Sequence, residues 1–356
     1  MASLRFALVG CGRIAKRHSE LLGCNQIEGA RLAAVCDVVQ GRAEAIGTRF
    51  GVPAYLDMHE MMAREDVDVV VVLTESGRHA EHVVALARHG KHIMVEKPMA
   101  LTPADADRMI AACDEARVRL FVVKQNRLNV PVVKLREALE AGRFGKLVMG
   151  TVRVRWHRDQ SYYDQDAWRG TWGLDGGVLA NQASHHIDLL VWMMGDVESV
   201  FAMGRTALVD IEAEDTAVVA LRFANGALGV IEATTATRPT DLEGSISVLG
   251  EGGTVVIGGF AANEVLTWKF AKREADDDDV LSKYSVNPPN VYGFGHQAYY
   301  EQVVQSIRLG TPQPVDGASG RRSVELIAAI RESIRAGREV SLFSRASRCD
   351  RGLSSS

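Results

Sequence analysis

The sequence lacks the features that would assign it to several common protein classes. No apolar run in its 356 residues reaches the roughly 18 needed to cross a bilayer. The net charge is only −4, which gives no support to a nucleic-acid or anionic-membrane partner. The first residues lack the charged start, apolar stretch and cleavage site of a signal peptide. We therefore expect a cytoplasmic globular protein.

Cysteine is also too sparse and too scattered to build a framework. The count is odd and no pair has CxxC spacing, the five residues being Cys11, Cys24, Cys36, Cys113 and Cys349. This usage is typical of reduced thiols, and it argues against disulfides or a zinc site. We interpret Cys11 and Cys36 as small buried residues.

The hydrophobic pattern predicts two domains and a tail. Short apolar strands alternate with amphipathic helices over residues 1–124, which is typical of a doubly wound parallel sheet of the Rossmann type. Strand signals dominate over residues 125–343 and predict an α+β domain on a large, mostly antiparallel sheet. We expect helices to cover that sheet at 176–194, 296–309 and 320–336. Residues 344–356 are polar and predict a flexible tail.

A glycine-rich turn follows the first predicted strand. Gly10-Cys11-Gly12-Arg13-Ile14-Ala15 fits GxGxxA and opens a predicted helix, which is the context that gives this motif its meaning. Gly10 allows a tight turn, and Gly12 lets a pyrophosphate approach the backbone at the helix N-terminus. Asp37 ends the second strand, where its carboxylate would bind the adenosine ribose and repel a 2′-phosphate. The sequence thus predicts NAD rather than NADP as cofactor.

The turn Glu96-Lys97-Pro98 follows another predicted strand and resembles a motif of the Gfo/Idh/MocA oxidoreductase family. The resemblance covers nearly the whole chain and includes Trp168-Arg169-Gly170 and the segment 181–188. Several longer stretches are most similar to WlbA-type UDP-N-acetyl-2-amino-2-deoxyglucuronate (UDP-GlcNAcA) 3-dehydrogenases: residues 123–127, 162–172, 181–185, 241–246 and 292–296. This resemblance implies NAD-dependent oxidation of the sugar C3 hydroxyl, in making diacetamido uronic acids for bacterial surface polysaccharide such as O-antigen lipopolysaccharide.

Oxidising a secondary alcohol requires a proton acceptor and a hydride acceptor. Lys97 stands where open α/β sheets place their ligands, and Pro98 restricts it to an extended conformation. Asn181 and His185 are spaced i, i+4, so on one helix they would share a face. The family resemblance implies that these two side chains face the reacting carbon, where many members carry aspartate at the position of Asn181. We predict Lys97 and His185 as the catalytic residues, with either as the base, because the Asn181 amide cannot accept a proton at neutral pH.

The resemblance implies further site residues. The cofactor contacts, with those of the glycine turn, are expected from Arg13, Ile14, Asp37, Thr74, His79, Glu96, Lys97, Gln125, Trp168 and Arg169. The substrate contacts are expected from Lys97, Arg158, Tyr163, Asn181, His185 and His296. No metal is expected, because His185, His186 and Asp188 alone do not make a zinc site.

Some alternatives stay open at this point. Arg153, Arg155 and His157 share one face of a strand, which could meet a substrate anion or another subunit; the family resemblance favours a homotetramer through the sheet. The rival functions are a dehydrogenase of a free sugar or inositol, an NAD-dependent glycosidase, and a non-catalytic NAD-binding regulator.

Overall fold

The computed structural model describes residues 2–285 and 295–342, which divide into two compact units. The first unit comprises the described part of residues 1–125 and 294–321, and the second the described part of 126–293 and 322–356. Cys349, the tail 344–356 and most of the stretch 292–296 lie outside the described residues. None of the described helices is both long and apolar enough to span a membrane.

The first unit is built on a six-stranded parallel sheet. Its strands are β1 (Leu4–Val9), β2 (Ala30–Cys36), β3 (Ala54–Tyr55), β4 (Val69–Val72), β5 (His92–Val95) and β6 (Leu120–Val122). Its helices are α1 (Ala15–Gly23), α2 (Gln40–Phe50), α3 (Met58–Arg64), α4 (His79–Ala87) and α5 (Pro103–Glu115). The strand order β3-β2-β1-β4-β5-β6 is that of the Rossmann fold, with the reversal of strand order between β1 and β4. All four residues of β4 are buried, as a strand covered on both faces requires.

The second unit is built on an eight-stranded mixed sheet. The chain enters it through helix α6 (Val130–Glu140). Strands β7 (Leu147–Arg155), β8 (Val197–Arg205), β9 (Thr216–Phe223), β10 (Leu228–Thr234), β11 (Glu243–Gly250), β12 (Gly253–Gly258), β13 (Glu264–Phe270) and β14 (Val340–Ser341) make the sheet. Helices α7 (Gln160–Tyr163), α8 (Ser184–Met194) and α9 (Val280–Lys283) complete this part of the chain. Within the described part of this second sheet only the β7–β10 pair is parallel, so the sheet is mostly antiparallel and the predicted fold class is confirmed.

Two long helices follow, α10 (Gly295–Leu309) and α11 (Gly317–Ala336). The helix at 296–309 was expected to cover the antiparallel sheet, but α10 belongs to the first unit. The Tyr299 hydroxyl donates to the Val122 carbonyl at 2.5 Å, and Gly295 lies against the Gln125 carbonyl, where a Cβ would come within 2.4 Å. Side-chain hydrogen bonds and close backbone packing at the β6 end therefore place this helix.

The helix expected over 176–194 is also different, because it is divided in two. Val178–Gln182 forms a π-helical turn, in which the Ala183 N–H donates to the Val178 carbonyl at 2.8 Å, and α8 begins only at Ser184. The buried Glu214 carboxyl accepts the Leu179 N–H at 3.2 Å and so engages the backbone of this turn. A π turn is wider than an α turn, so the i, i+4 argument for a shared helix face does not apply across it.

Candidate active site

The glycine turn after β1 has the geometry that its sequence predicts. Gly10 has φ +97°, and a Cβ there would lie 2.8 Å from the Leu73 carbonyl group, so only glycine fits without moving β4. A Cβ at Gly12 would meet nothing within 4 Å. The space in front of Gly12 is therefore open, which fits the close approach of a pyrophosphate to the backbone.

Asp37 ties the end of β2 to this turn. Its Oδ2 accepts the Cys11 N–H at 2.7 Å, and its Oδ1 accepts the Val39 N–H at 2.8 Å. Each carboxylate oxygen has a second lone pair, so the ribose contact predicted for Asp37 stays compatible with these bonds. Burial raises the pKa of the Cys11 and Cys36 thiols to about 12, which agrees with their interpretation as inert buried residues.

Helix α1 begins directly after the turn, at Ala15. Among the described residues no side chain caps its N-terminus, where Arg13 and Ile14 lead into the first turn. Uncapped N–H groups and the positive end of the helix dipole favour an anion at this position. The residues present thus fit the dinucleotide, although the individual contacts of Arg13 and Ile14 stay predictions.

The Glu-Lys-Pro turn follows β5. Glu96 is 4% exposed, and its Oε1 lies 3.1 Å from Nε2 of His18 and 3.2 Å from Nε2 of His296. Its Oε2 accepts the Lys97 N–H at 2.9 Å. Lys97 itself is half-buried, and its peptide bond to Pro98 is cis. The turn therefore presents the lysine from a backbone that the preceding glutamate holds.

Two predicted cofactor residues flank this turn. The His79 ring lies between two carbonyl groups, with Nδ1 2.8 Å from the Pro98 oxygen and Nε2 3.0 Å from the Thr74 oxygen. Burial lowers the pKa of His79, so the neutral ring can donate to only one of them. Thr74 also binds His82 through its hydroxyl, at 2.8 Å. His79 thus connects the end of β4 to the Glu-Lys-Pro turn, and its contact with cofactor stays a prediction.

Gln125 and His296, two further predicted site residues, are almost fully buried in the first unit. Gln125 is 4% exposed at the end of β6, and His296 is 1% exposed on α10. The structure places His296 beside Glu96, and the substrate contact predicted for His296 stays a prediction.

The second unit brings Trp168, Arg169 and Tyr162 together. The Arg169 guanidinium lies 4.7 Å from the Trp168 ring centre and 4.6 Å from that of Tyr162, and it donates to the Tyr162 hydroxyl at 2.8 Å. Asp166 pairs with it at 3.1 Å. These contacts hold the cation rigidly, and the phosphate or ribose contact predicted for Arg169 stays a prediction.

The other predicted substrate residues of this unit have protein partners as well. Arg158 donates to Asp241 at 3.0 Å and lies over the Tyr162 ring. The Tyr163 hydroxyl lies 3.0 Å from the Thr235 hydroxyl, and burial raises the Tyr163 pKa to about 12. Tyr163 is only 5% exposed, and the substrate contact predicted for it stays a prediction.

Asn181 and His185 lie on either side of the break before α8. The Asn181 amide donates to the buried Asp175, whose other oxygen accepts the Gly170 N–H at 3.0 Å. His185 is 7% exposed in the first turn of α8. Asp175 was not predicted as a site residue, although it holds the Asn181 amide by this hydrogen bond. The neighbouring Gly176-Gly177 pair, both with positive φ, was the available sequence signal for an unusual backbone conformation near Asp175.

The adjacent His186 has a structural environment. It is fully buried against the Trp156 ring, with 5.8 Å between ring centres, and burial lowers its pKa to about 4. Asp188 forms a two-pronged ion pair with Arg127, at 2.7 and 2.8 Å. Among the described residues, the group with spacing suited to a metal lies elsewhere and consists of His18, Glu96 and His296. Sequence spacing gives no sign of it, because its members are 78 and 200 residues apart.

The arginines of β7 are largely neutralised by glutamates on neighbouring strands. Arg155 forms a two-pronged pair with Glu232 at 2.6 and 2.7 Å and lies 3.4 Å from Glu243. Arg153 lies 3.8 Å from Glu232. These pairs reduce the positive potential that a substrate anion would meet on this face, and they favour its use as a polar part of an interface.

Two family models match the chain. Residues 4–124 match "Oxidoreductase family, NAD-binding Rossmann fold", and residues 136–342 match "Oxidoreductase family, C-terminal alpha/beta domain" of the same family. The chain belongs to the Gfo/Idh/MocA oxidoreductase family. It is an NAD-dependent oxidoreductase, and the part of the chain that matches the NAD-binding Rossmann model includes the glycine turn described above, whose contacts with the cofactor stay predictions.

Similar Gfo/Idh/MocA proteins include enzymes of both free and nucleotide-linked sugars. Myo-inositol 2-dehydrogenase of Thermotoga maritima is 33% identical over 95% of this chain and 98% of that protein. The WlbA dehydrogenase of Bordetella pertussis, solved with NADH and UDP-GlcNAcA, is 43% identical with a TM-score of 0.89, covering 96% of this chain and 98% of that one. The WlbA dehydrogenase of Chromobacterium violaceum, with the same ligands, is 42% identical with a TM-score of 0.90, covering 96% of both.

Proposed function

We propose that this sugar dehydrogenase oxidises the C3 hydroxyl of UDP-GlcNAcA to the 3-keto sugar with NAD⁺. The observation that carries the proposal is its 42–43% identity, over 96% of the chain, to two WlbA dehydrogenases solved with NADH and UDP-GlcNAcA. The identity to the inositol dehydrogenase is 33% over a similar length. The substrate proposal therefore rests on the higher similarity to enzymes that bind the nucleotide sugar.

In the proposed reaction the C3–H bond breaks with its electron pair and the O3 hydroxyl loses its proton. When bound, NAD⁺ supplies the hydride acceptor at its nicotinamide ring. Lys97 and His185 are the proposed proton-transfer groups, with Asn181 orienting the sugar through hydrogen bonds. As an ammonium, Lys97 would also stabilise the developing alkoxide charge. The products are the 3-keto sugar, NADH and a proton.

We also propose that the enzyme is a cytoplasmic homotetramer assembled through the exposed face of its large sheet. Four large apolar side chains lie exposed there, at 41–64%: Phe201, Met203, Val218 and Leu228. Phe201 and Met203 alternate along β8, and Met203 is the cross-strand partner of Val218 on β9, so these three residues form a patch. Such a patch beside the Arg153–Glu232 pairs is typical of a subunit interface. Size-exclusion chromatography with light scattering of Met203→Asp tests this, and an unchanged mass for a tetrameric wild type would contradict it.

The test of the reaction is a substrate panel with product detection by mass spectrometry. UDP-GlcNAcA, UDP-GlcNAc, UDP-glucuronate and myo-inositol are each incubated with NAD⁺, with and without 2-oxoglutarate. We expect a product two hydrogens lighter from UDP-GlcNAcA alone. The 2-oxoglutarate arm is needed because an enzyme that recycles bound NADH would show no net NADH absorbance. Formation of 2-hydroxyglutarate would identify that recycling.

The panel also separates the rival functions. If the enzyme oxidises myo-inositol and does not oxidise UDP-GlcNAcA, its substrate is a free cyclitol and our proposed substrate is wrong. Release of free sugar without oxidised product or net NADH would indicate a glycosidase. Lys97→Ala and His185→Ala should each remove most turnover while NADH binding persists. A non-catalytic regulator would show no turnover in the wild type and bind NADH equally in all three proteins.

The proposed product has a defined place in a reaction sequence. A 3-keto sugar is a substrate for transamination to a 3-amino sugar, as in the synthesis of diacetamido uronic acids for bacterial surface polysaccharide. We propose this role for the enzyme. A coupled reaction with a sugar aminotransferase and an amino donor should convert the keto product to the amine, and failure of every tested aminotransferase to accept it would contradict this placement.

A further inference from the structure

A buried hydrogen-bonded cluster lies directly behind the lysine of the Glu-Lys-Pro turn. Glu96 is its centre, and three side chains surround it: His18 on α1, and His296 and Tyr300 on α10. All four residues are between 0 and 4% exposed. The three elements that meet here are helix α1, which follows the glycine turn, the end of β5, and helix α10, all within the first unit.

The hydrogen bonds of the cluster have one consistent assignment. Burial raises the pKa of Tyr300 well above its usual value, so its hydroxyl keeps its proton and donates to Nδ1 of His18, 2.7 Å away. Burial also lowers the pKa of His18, so the ring is neutral and its single proton lies on Nε2. That N–H donates to Oε1 of Glu96, which also accepts from Nε2 of His296.

Glu96 is therefore a buried carboxylate. Burial by itself would raise its pKa, but the hydrogen bonds from His18 and His296 outweigh that effect and hold the pKa well below its usual range. With Oε1 fixed by two ring N–H groups, Oε2 is left facing the Lys97 backbone and accepts its N–H at 2.9 Å. The orientation of the carboxylate thus determines where the backbone of Lys97 is held.

We propose that His18, His296 and Tyr300 are positioning residues that act through Glu96 on Lys97. The proposal rests on the proposed function of Lys97 in proton transfer. Its physical basis is that a reacting group displaced by about 1 Å can lose about a hundredfold in rate. Loss of one donor lets the Glu96 carboxylate rotate, and the Lys97 backbone loses its fixed acceptor.

A divalent cation is the alternative occupant of this cluster, since two histidines and a glutamate form a known zinc set. The ring nitrogens lie 3.1 and 3.2 Å from the Glu96 oxygen, which are hydrogen-bond distances. In the assignment above, the His18–Glu96, His296–Glu96 and Tyr300–His18 contacts each join one hydrogen-bond donor to one acceptor. The hydrogen bonds explain the cluster without an ion, and metal content is accordingly one of the measurements.

The chain offers a matched pair of tyrosines for the test. Tyr300→Phe removes only the hydroxyl that orients His18. Tyr299→Phe removes an equally buried hydroxyl from the adjacent residue of α10, which donates to the Val122 carbonyl outside the cluster. We expect Tyr300→Phe to lower kcat about tenfold with KM and the NADH dissociation constant within about twofold of wild type. Tyr299→Phe should leave kcat unchanged, although both variants lose a buried hydrogen bond and some thermal stability.

His296 supplies a rescue experiment. His296→Leu removes the donor to Glu96 and should lower kcat at least as much as Tyr300→Phe. His296→Gln places an amide N–H at a similar reach and should recover most of that loss. Equal loss in the leucine and glutamine variants, with equal melting temperatures, would mean that the hydrogen bond to Glu96 does not matter, and would overturn the proposal.

Two measurements do not depend on turnover, and they separate this inference from the proposed function. The first is the rate at which an acylating reagent labels Lys97, measured by mass spectrometry across pH. Tyr300→Phe should change it at least about twofold and Tyr299→Phe should not, even if UDP-GlcNAcA is the wrong substrate. The second is metal analysis of the purified protein. One equivalent of a divalent metal that disappears in His18→Asn, or identical Lys97 labelling in both tyrosine variants, would overturn the inference.

Discussion

Substituting alanine for each glycine of the turn after β1 tests whether Gly10 is needed for folding and Gly12 for binding of the dinucleotide. Gly10→Ala places a Cβ 2.8 Å from the Leu73 carbonyl carbon and oxygen and 2.9 Å from the Thr74 nitrogen, at φ +97°. The backbone conformation alone costs about 1–3 kcal/mol for a residue with a side chain. Since the neighbours are backbone atoms of the β4 end, they can relieve the overlap only by moving β1 away from β4.

We therefore expect Gly10→Ala to lower the free energy of unfolding by at least about 1–3 kcal/mol. In a domain of about 150–250 residues each kcal/mol lowers Tm by roughly 2–4 °C. Gly12→Ala should leave Tm unchanged, because its Cβ meets nothing within 4 Å and its φ is outside the left-handed region. That Cβ fills the space proposed for the pyrophosphate, so the NADH dissociation constant should rise about tenfold, which is about 1.4 kcal/mol.

The measurements are thermal unfolding without cofactor and NADH titration followed by protein fluorescence. Gly41→Ala is the matched control, since it also meets nothing within 4 Å and lies in the first turn of helix α2. If Gly12→Ala binds NADH as tightly as Gly41→Ala, the dinucleotide does not approach this turn. If Gly10→Ala unfolds at the wild-type temperature, the close approach to β4 is not a constraint.

Three other expected outcomes follow from buried charges and rings. Asp37→Asn should reduce the preference for NADH over NADPH about tenfold, because the carboxylate that repels a 2′-phosphate is gone; titration of both cofactors checks this, and an unchanged ratio would contradict it. Burial lowers the pKa of His186 to about 4 from 6.5, so the unfolded chain binds this proton first and stability falls as pH decreases from about 6.5 to about 4. His186 contributes about 3 kcal/mol to this loss in the free energy of unfolding. Denaturant unfolding at several pH values should therefore show a weaker pH dependence of stability for His186→Asn. Arg127→Met should lower the free energy of unfolding by about 3–5 kcal/mol, because the buried Asp188 carboxylate loses its arginine. The double variant Arg127→Met with Asp188→Leu should recover much of that stability in denaturant unfolding. If the double variant is less stable than Arg127→Met, the broken ion pair is not the source of the loss.

Several parts of the fold were accessible from the sequence because their signals are local. The short β-branched run around Val69–Val72 predicts a strand buried on both faces, and GxGxxA between an apolar run and an amphipathic helix predicts a dinucleotide turn. The Glu-Lys-Pro motif with the longer stretches carried the family, which the family models confirm. These features depend on neighbours within a few residues, so a single sequence contains them.

Short elements escaped the sequence analysis for lack of pattern. The two residues of Ala54–Tyr55 form β3 only because the β2 strand beside them supplies hydrogen bonds, as between the Val35 N–H and the Pro53 carbonyl. Helix α3 had a usable sequence signal in its N-cap Asp57, whose side chain accepts the N–H groups of His59 and Glu60. Strand β13 had no comparably clear signal in its sequence. Periodicity needs more than a few residues to become visible.

The sequence by itself determined the glycine turn after β1, the alternation of strands and helices, and the position of Lys97 just after β5. Tertiary structure alone decided what holds that lysine, since His18, Glu96 and His296 are separated by 78 and 200 residues. The same holds for α10, whose periodicity predicts a helix but not the sheet that it covers. The physical reason is that side-chain hydrogen bonds between distant elements depend on how those elements pack, and no spacing along the chain records that packing.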